Sequence, residues 1–176
     1  PMRHWRREDS FESTGLPWTP PSPNMRNPKQ ALLYPGVGIL ETTNLSVGRG
    51  TDTPFEIIGA PYIHDRDLAA ALNALKIPGV AFTPIVFTPT ASIFKETPCQ
   101  GVYISITDRD EVQPVRLGVQ LALTLRQLYP DQWETKGLNR LLRHVPTRDG
   151  IEQGLPMDAV IDSWEADLKA FGSRRA

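Results

Sequence analysis

The spacing of apolar side chains predicts amphipathic helices in the middle and at the C-terminal end of the chain. Apolar residues recur every three or four positions, which places them on one helix face, in three stretches: 65–76, 115–129 and 157–171. Pro78-Gly79 and Pro130 follow the first two stretches, and such residues end helices. A short helix is also predicted over 138–142.

Shorter apolar stretches predict β-strands. They cover residues 37–40, 55–58, 80–87 and 101–107. The last of them alternates and is rich in β-branched and aromatic side chains, so it is the clearest strand. Pro84 lies within the third stretch, and that strand is therefore expected at a sheet edge or at a bulge. Tyr34-Pro35-Gly36 is interpreted as a turn that leads into the first strand.

These elements predict an α+β fold, an α/β sandwich in which helices pack on one mixed sheet of about four or more strands. The N-terminal part of the chain contains a run of prolines: Pro17, Pro20, Pro21, Pro23 and Pro28. Proline fixes φ and favours an extended conformation at the residue before it. We therefore expect residues 1–30 to form a long Pro- and Trp-rich extended strap, anchored by Trp18, and residues 31–176 to form a single α+β domain.

Composition and charge exclude several classes of protein. Lysine and arginine number 19, and aspartate and glutamate number 20; this balance argues against nucleic-acid binding. Seventeen prolines, about twice the roughly 5% background, indicate long ordered loops around a modest core. No apolar run approaches the roughly 18 to 20 residues of a membrane span. Cys99 is the single cysteine, which excludes an internal disulfide and a cysteine-rich zinc site. We predict no metal site and no cofactor.

The most informative stretch for function is residues 41–51, which follow the predicted strand at 37–40. In α/β sheets such positions present functional groups. This 41–51 loop holds one carboxylate, one amide, four hydroxyls and Arg49, whose flanking glycines allow a tight turn. A guanidinium matches a carboxylate or a phosphate through two parallel hydrogen bonds. Two interpretations stay open: a ligand site, and a polar loop whose side chains hydrogen-bond to its own backbone.

Several familiar catalytic motifs are absent from the sequence. It has no P-loop, no dinucleotide-binding glycine pattern, no Gly-x-Ser-x-Gly elbow and no His-Glu-x-x-His pair. Glu56 offers a second carboxylate opposite Glu41, and a pair of carboxylates across a sugar is what glycoside hydrolysis requires. Trp18 and Tyr62 are either stacking partners for a sugar or anchors within the fold.

A series of short motifs occurs in the same order as in one protein family. The motifs cover residues 16–25, 34–36, 41–51, 54–56, 58–62, 148–154 and 161–171. On these motifs the sequence resembles, over nearly its whole length, the C-terminal domain of the NamZ-type exo-β-N-acetylmuramidases, a family formerly catalogued as a bacterial domain of unknown function. In that family a Rossmann-like N-terminal domain precedes this one, and the active site lies in the cleft between the two domains.

The resemblance implies a role in bacterial cell-wall turnover. Family members are exo-acting glycoside hydrolases that release non-reducing-end N-acetylmuramic acid from peptidoglycan fragments. The chain is expected to supply one wall of the interdomain site, with a muramyl sugar or peptidoglycan fragment and the missing N-terminal domain as its partners. The family's leading catalytic glutamates lie in that other domain, so the full-length protein is the expected enzyme. The resemblance also implies export to the periplasm or the outside of the cell.

The resemblance also assigns site residues within the 41–51 loop. Glu41 becomes a candidate catalytic acid/base or a ligand of sugar hydroxyls, with binding favoured. The positions expected to bind substrate are Thr43, Asn44, Ser46, Arg49, Gly50 and Thr51. Arg49 is expected to meet the lactyl carboxylate that distinguishes N-acetylmuramic acid from N-acetylglucosamine. Thr42 and Val47 depart from the family pattern, which has a glycine and an acidic residue at these two positions.

Two other functions stay open. The chain can be a non-catalytic carbohydrate-binding or interaction module, or a structural partner that completes a separately encoded N-terminal half. Its first residue is not methionine, and it stops before the aromatic and leucine-rich tail that the family resemblance leads us to expect after Arg175. We therefore expect the sequence to be a piece of a longer protein.

Overall fold

A computed structural model describes residues 5, 6 and 9–175 of the protein. Within these residues the helices are Pro28–Val37 (α1), Asp65–Ala74 (α2), Pro114–Leu128 (α3), Asn139–Leu142 (α4), Val145–Glu152 (α5) and Met157–Arg175 (α6). The strands are Ile57–Ala60 (β1), Val80–Phe87 (β2) and Cys99–Ile106 (β3). Single 3₁₀ turns lie at Glu12–Thr14 and Gly38–Leu40.

The strands form one antiparallel sheet in the order β1–β3–β2. Tyr103 in the central strand pairs with Ile57 on one side and with Thr83 on the other. β2 has the predicted bounds and lies at the edge, as Pro84 indicated, because proline cannot donate a hydrogen bond to a neighbouring strand. The predicted α+β class, with helices packed on one sheet, is confirmed. The predicted mixed sheet of four or more strands is wrong in its details, since the described part of the chain contains three strands and all are antiparallel.

Residues 37–40 are helical, which removes the first of the predicted strands. α1 begins at Pro28 after Asn27, whose side chain accepts a hydrogen bond from the Gln30 N–H. This pairing of an asparagine cap with proline at the first helical position is a favoured helix start. The helix runs through Pro35 and passes directly into the 3₁₀ turn.

Pro35-Gly36 does not end α1 because this part of the helix packs closely on α3. A Cβ at Gly36 would clash with the Pro114 carbonyl oxygen, and a Cβ at Gly118 would clash with the backbone of Gly36. The two glycines therefore let the backbones of α1 and α3 touch. Tertiary packing overrides a local sequence signal for a turn.

The hydrophobic core lies between the sheet and the helices. α2 packs on β2 and β3, while α3 packs on α1, α2 and α5. Strand residues such as Ile58, Phe82, Val102 and Ile104 meet helix residues such as Leu68, Leu72, Leu117 and Leu121. The predictions of α2, α3, α4 and α6 are confirmed, whereas α5 was not predicted. No helix in the described residues has the length and apolarity that a membrane crossing needs.

The N-terminal segment has little regular structure. Residues 16–20 form neither helix nor strand. Trp18 Nε1 donates to the Met25 carbonyl oxygen at 2.9 Å, and its ring meets the Phe11 ring edge-on at 5.0 Å. Both contacts join Trp18 to other residues of the same N-terminal segment. Residues 1–4, 7 and 8 of the predicted strap lie outside the described residues. The division of the chain after residue 30 stays a prediction, although α1 already begins at Pro28.

Candidate functional site

The 41–51 loop starts at the end of the 3₁₀ turn Gly38–Leu40 and not at the end of a strand. The expectation that a sheet presents this loop at a strand end is therefore wrong. The loop is attached to the sheet farther along, where Ser46 and Gly59 of β1 exchange two backbone hydrogen bonds of 2.9 and 3.0 Å. This bridge fixes the middle of the loop beside β1.

Glu41 and Arg49, near the two ends of the loop, form a two-point ion pair. Arg49 Nη2 donates to Glu41 Oε2 at 3.1 Å, and Arg49 Nε contacts Glu41 Oε1. The Arg49 and Glu41 side chains keep 30% and 26% of their surface exposed. The structure thus brings together the two charged residues that the sequence assigned to the site, and it leaves both in contact with solvent.

An aromatic support lies against the Arg49 guanidinium. The Arg49 Cζ atom is 5.2 Å from the centroid of the Phe55 ring, within the range of cation–π attraction. Phe55 is buried, has a φ of +64° and meets the ring of Tyr34 edge-on at 4.9 Å. A positive φ is uncommon for a bulky residue. Because packing holds the Phe55 ring in place, the position of the guanidinium above it is well defined.

The first half of the loop is held by residues 132–137, which follow α3 and are called the clamp segment below. Thr42 Oγ1 donates to the Gly137 carbonyl oxygen at 2.7 Å. Thr43 is buried; its Oγ1 donates to the Leu40 carbonyl oxygen at 2.7 Å and accepts a hydrogen bond from Trp133 Nε1 at 3.2 Å. The hydroxyls of both threonines are therefore used inside the protein.

Asn44 also uses its amide group inside the protein. Its Nδ2 donates to the Gln132 carbonyl oxygen at 2.8 Å, and its Oδ1 accepts from the Glu134 N–H at 2.8 Å. The Tyr62 hydroxyl donates to the Asn44 carbonyl oxygen at 3.0 Å, and burial raises the pKa of Tyr62. These contacts agree with the interpretation of Tyr62 as an anchor within the fold.

The second half of the loop is a glycine turn stabilised by its own hydroxyls. Gly48 and Gly50 have φ values of +80° and +82°. Ser46 Oγ accepts from the Gly48 N–H at 3.3 Å, and Thr51 Oγ1 donates to the Gly48 carbonyl oxygen at 2.7 Å. A Cβ on Gly50 would clash with the backbone of Ala91. The polar-loop interpretation thus holds for Ser46 and Thr51, and the substrate-binding role of the loop residues stays a prediction.

A shallow depression of about 390 Å³ opens beside the end of the loop. It is lined by Arg26, Gly50, Thr51, Asp52, Phe87, Thr88 and Thr90. Thr90 joins the two sides of the depression, because its N–H and its hydroxyl both donate to the Gly50 carbonyl oxygen, at 2.9 and 2.8 Å. Hydroxyls, an aromatic ring and the exposed Arg26–Asp52 pair are groups able to contact a polar ligand.

Glu56 is not available as a second carboxylate opposite Glu41. The residue is only 4% exposed, and four side chains surround its carboxylate: Lys29 Nζ at 2.8 Å, Gln30 Nε2 at 2.9 Å, the Tyr103 hydroxyl at 3.0 Å and Asn27 Nδ2 at 3.2 Å. The hypothesis that these two glutamates form a glycosidase pair across a sugar is therefore not supported.

The charged carboxylate of Glu56 stabilises the fold. Burial raises the pKa of Glu56, but hydrogen bonds from Lys29, Gln30 and Asn27, together with the positive charge on Lys29, outweigh it and leave the pKa below its ordinary value of 4.5. The ionised carboxylate joins α1 to the sheet through these contacts. Sequence analysis missed this cluster because it missed α1, although Asn27-Pro28 is the signal that would have predicted that helix.

The remaining candidate groups show no reactive environment. Cys99 is buried, and burial raises the pKa of its thiol to about 11, so the thiolate that nucleophilic chemistry needs is scarce at neutral pH. In the described part of the chain, no three His, Cys, Asp or Glu side chains are grouped so that they could hold a metal ion. The expectation of no metal site and no cofactor stays a prediction.

The fold of the chain is that of the DUF1343 class of proteins. A DUF1343 family protein of Bacteroides fragilis NCTC 9343 superposes with a TM-score of 0.79 and 28% identity, over 96% of this chain and 46% of its own. A second protein of that class from the same organism superposes with a TM-score of 0.65 and 24% identity, over 89% and 42%. The second likeness concerns the fold alone.

Sequence comparison identifies the family more closely. The family model described as "Exo-beta-N-acetylmuramidase NamZ, C-terminal" matches residues 32–176. Peptidoglycan beta-N-acetylmuramidase NamZ of Bacillus subtilis (strain 168) is 41% identical over 177 residues, which are 99% of this chain and 43% of that protein. The chain belongs to the NamZ family of muramidases and corresponds to its C-terminal domain. It spans less than half the length of this curated relative.

Proposed function

We propose that the chain supplies one wall of the active-site cleft of an exo-acting glycoside hydrolase, which releases non-reducing-end N-acetylmuramic acid from peptidoglycan fragments. Membership of the NamZ family supports the class of reaction. The observation that supports the cleft wall is the Glu41–Arg49 pair, which is partly exposed and packs against the buried Phe55 ring. In this proposal a preceding N-terminal domain completes the cleft and carries the catalytic glutamates.

Arg49 is the group that recognises the lactyl carboxylate of N-acetylmuramic acid. The Glu41 carboxylate accepts a hydrogen bond from Nη2 and contacts Nε, and so holds the guanidinium in one orientation. Among residues 5, 6 and 9–175, Nη1 of Arg49 makes no hydrogen bond, so its two hydrogens are free for a ligand. A carboxylate that reaches Nη1 accepts charge-assisted hydrogen bonds, which are stronger than neutral ones. N-acetylglucosamine has no lactyl group and makes no such contact.

The other loop residues support this pair. Glu41 directs both carboxylate oxygens at Arg49, so its part is to position the guanidinium and to accept hydrogen bonds from sugar hydroxyls. Thr43, Asn44 and Ser46 hold the backbone between the two charged residues through their internal hydrogen bonds. Their effect on substrate binding is indirect in this proposal.

Replacing Arg49 in the full-length protein tests the proposal. The Arg49→Ala variant is expected to raise KM for a chromogenic N-acetylmuramide about 10- to 100-fold, because a hydrogen bond to a charged group contributes roughly 1.5–3 kcal/mol. Steady-state kinetics measure this change, and circular dichroism checks the fold. Arg109→Ala, which removes an exposed arginine paired with Glu12 at 3.7 Å, is the matched control. An Arg49→Ala variant with a native spectrum and the wild-type KM would contradict the proposal.

A non-catalytic carbohydrate-binding module is the second candidate. It is favoured by the environment of Glu56, because the carboxylate that sequence analysis paired with Glu41 is engaged inside the fold. The two candidates differ in an assay of the isolated chain with a chromogenic muramide, before and after addition of a separately produced N-terminal half. Turnover that appears only on mixing supports the cleft wall, whereas sugar binding without turnover in both samples supports the module.

A further inference from the structure

The clamp segment leads into a strongly basic stretch of the chain. Between residues 136 and 148 there are four lysines and arginines and no aspartate or glutamate, although the whole chain has a net charge of −1. Arg148 is paired with Asp149 at 2.6 Å. The other three cations are exposed and are called the basic strip below: Lys136, Arg140 and Arg143.

The charges of the basic strip are not neutralised by ion pairs. Within residues 5, 6 and 9–175, none of the three side chains takes part in an ion pair. Arg140 lies on α4, and Arg143 directly follows the helix with a φ of +54°. α4 is only four residues long, and so short a helix has little dipole to attract them. The nearest carboxylates in sequence are Glu134, which is exposed, and the paired Asp149.

The basic strip is held beside the candidate site by a close backbone contact. Gly137 approaches Thr42 so closely that a Cβ on the glycine would clash with the Thr42 carbonyl oxygen, and Thr42 Oγ1 donates back to the Gly137 carbonyl oxygen at 2.7 Å. Lys136 precedes this contact by one residue, and Arg140 follows it by three. Leu138, which is fully buried, fixes the segment between them. The segment that carries the strip is therefore in direct contact with the 41–51 loop.

We propose that the basic strip binds carboxylates of muramyl residues farther along the glycan chain than the one that is released. This inference rests on the proposed function. In a peptidoglycan glycan without its peptides, every second sugar carries a lactyl carboxylate, so the chain is a polyanion. The Glu41–Arg49 pair recognises the terminal muramyl sugar, and the strip adds a second, electrostatic contact for the chain beyond it.

Such a contact has a distinct dependence on chain length and on salt. A single muramyl sugar held at Arg49 has no further carboxylate for the strip, so only longer chains benefit. Exposed charges are screened over about 8 Å at physiological ionic strength, so the benefit is largest at low ionic strength. A chito-oligosaccharide of equal length has no carboxylates and serves as the neutral probe.

The test compares two triple variants of the full-length protein that have the same net charge. The strip variant carries K136Q, R140Q and R143Q. The control variant carries R66Q, K76Q and R116Q, at three exposed positions outside the strip. The substrates are peptide-free glycan chains of three or more disaccharides and a chromogenic N-acetylmuramide, each at low and at high ionic strength.

We expect the strip variant to raise KM for the glycan chains about tenfold or more at low ionic strength, because it removes the long-range attraction. Its KM for the chromogenic muramide and its kcat for both substrates stay within about twofold of the wild-type values. The control variant behaves like the wild type. Equal KM values for the glycan chains in the two triple variants would overturn the proposal.

Retention on immobilised glycans separates this proposal from the proposed function. The wild type is expected to be retained more strongly on peptide-free muramyl glycan than on chitin, and this difference should be lost in the strip variant and at high ionic strength. That result supports glycan binding by the strip even if neither substrate is hydrolysed. In that case only the proposed function fails. Turnover of the muramide together with unchanged retention of the strip variant overturns the strip alone. Absence of salt-sensitive retention of the wild type on muramyl glycan also overturns it.

Discussion

Glu41 and Glu56 are only fifteen positions apart in the sequence but have opposite environments. Glu41 is partly exposed and contacts one partner, Arg49. Glu56 is buried beneath α1, where Lys29 and Gln30 reach its carboxylate. At the scale of single residues, the first glutamate is therefore accessible to a ligand, and the second belongs to the scaffold.

Replacing Glu56 is expected to destabilise the domain. Glu56→Gln removes the negative charge that pairs with Lys29 and accepts a hydrogen bond from Tyr103. We expect the free energy of unfolding to fall by about 2 kcal/mol, since a hydrogen bond to a charged group contributes roughly 1.5–3 kcal/mol. Urea denaturation measures the change. Asp52→Asn removes the acid of an exposed pair with Arg26 and is the control that keeps wild-type stability. A Glu56→Gln variant as stable as this control would refute the structural role of the cluster.

The same residue predicts a pH dependence. Because the pKa of Glu56 in the folded protein lies below its ordinary value of 4.5, the folded state binds fewer protons there than the unfolded state. Its stabilising contribution is therefore complete above about pH 4.5 and is lost as the pH falls through the lower, folded-state pKa. Wild-type stability should drop more steeply than that of Glu56→Gln in this acid range, and parallel pH profiles of the two proteins would contradict the assignment.

The candidate site could be predicted only in part at the residue scale. The composition of the 41–51 loop pointed to Glu41 and Arg49, and the structure places the two in contact. The use of Thr43 and Asn44 inside the fold could not be predicted, because their partners in the clamp segment lie 88 to 90 positions away in the sequence. Local periodicity carries no information on such contacts.

At the scale of elements, the close contact between α1 and α3 decides how the first part of the chain folds. Leu33, Val37 and Leu40 are fully buried along this helical stretch. Their spacing of four and three residues is that of a helix face, but Pro35-Gly36 interrupts the pattern in the sequence. By contrast, α2 and α3 carry uninterrupted apolar faces and were predicted, and β2 was predicted from its apolar run despite Pro84.

A methyl group at the contact between the two helices is expected to be costly. Gly118→Ala places a Cβ against the backbone of Gly36, so the helices must separate, and such overpacking lowers the free energy of unfolding by about 2 kcal/mol. Thermal or urea denaturation measures the loss. Gly172→Ala in α6, where a Cβ meets nothing within 4 Å, is the matched control and is expected to stabilise slightly, because alanine is the better helix former. Equal stability of the two variants would show that the helices do not touch there.

At the scale of the whole molecule, the domain presents one surface region of fixed polar groups on a compact scaffold. The clamp segment, the 41–51 loop and β1 are joined by hydrogen bonds, so the Glu41–Arg49 pair has a defined position without any ligand. The chain covers 43% of its Bacillus subtilis relative, and the reaction is proposed for the protein that includes the remaining part. In this proposal the domain contributes recognition of the sugar.

An NMR titration of the full-length protein tests the central claim most directly. N-acetylmuramic acid and then N-acetylglucosamine are added, and the signals of the Arg49 side chain and of the loop backbone are followed. We predict that N-acetylmuramic acid shifts the Arg49 Nε–H signal and the loop amides, because its lactyl carboxylate binds the guanidinium. N-acetylglucosamine should leave the Arg49 signal unchanged. Equal shifts of the Arg49 signal with both sugars, or none with either, would contradict the assignment of Arg49 to the muramyl carboxylate.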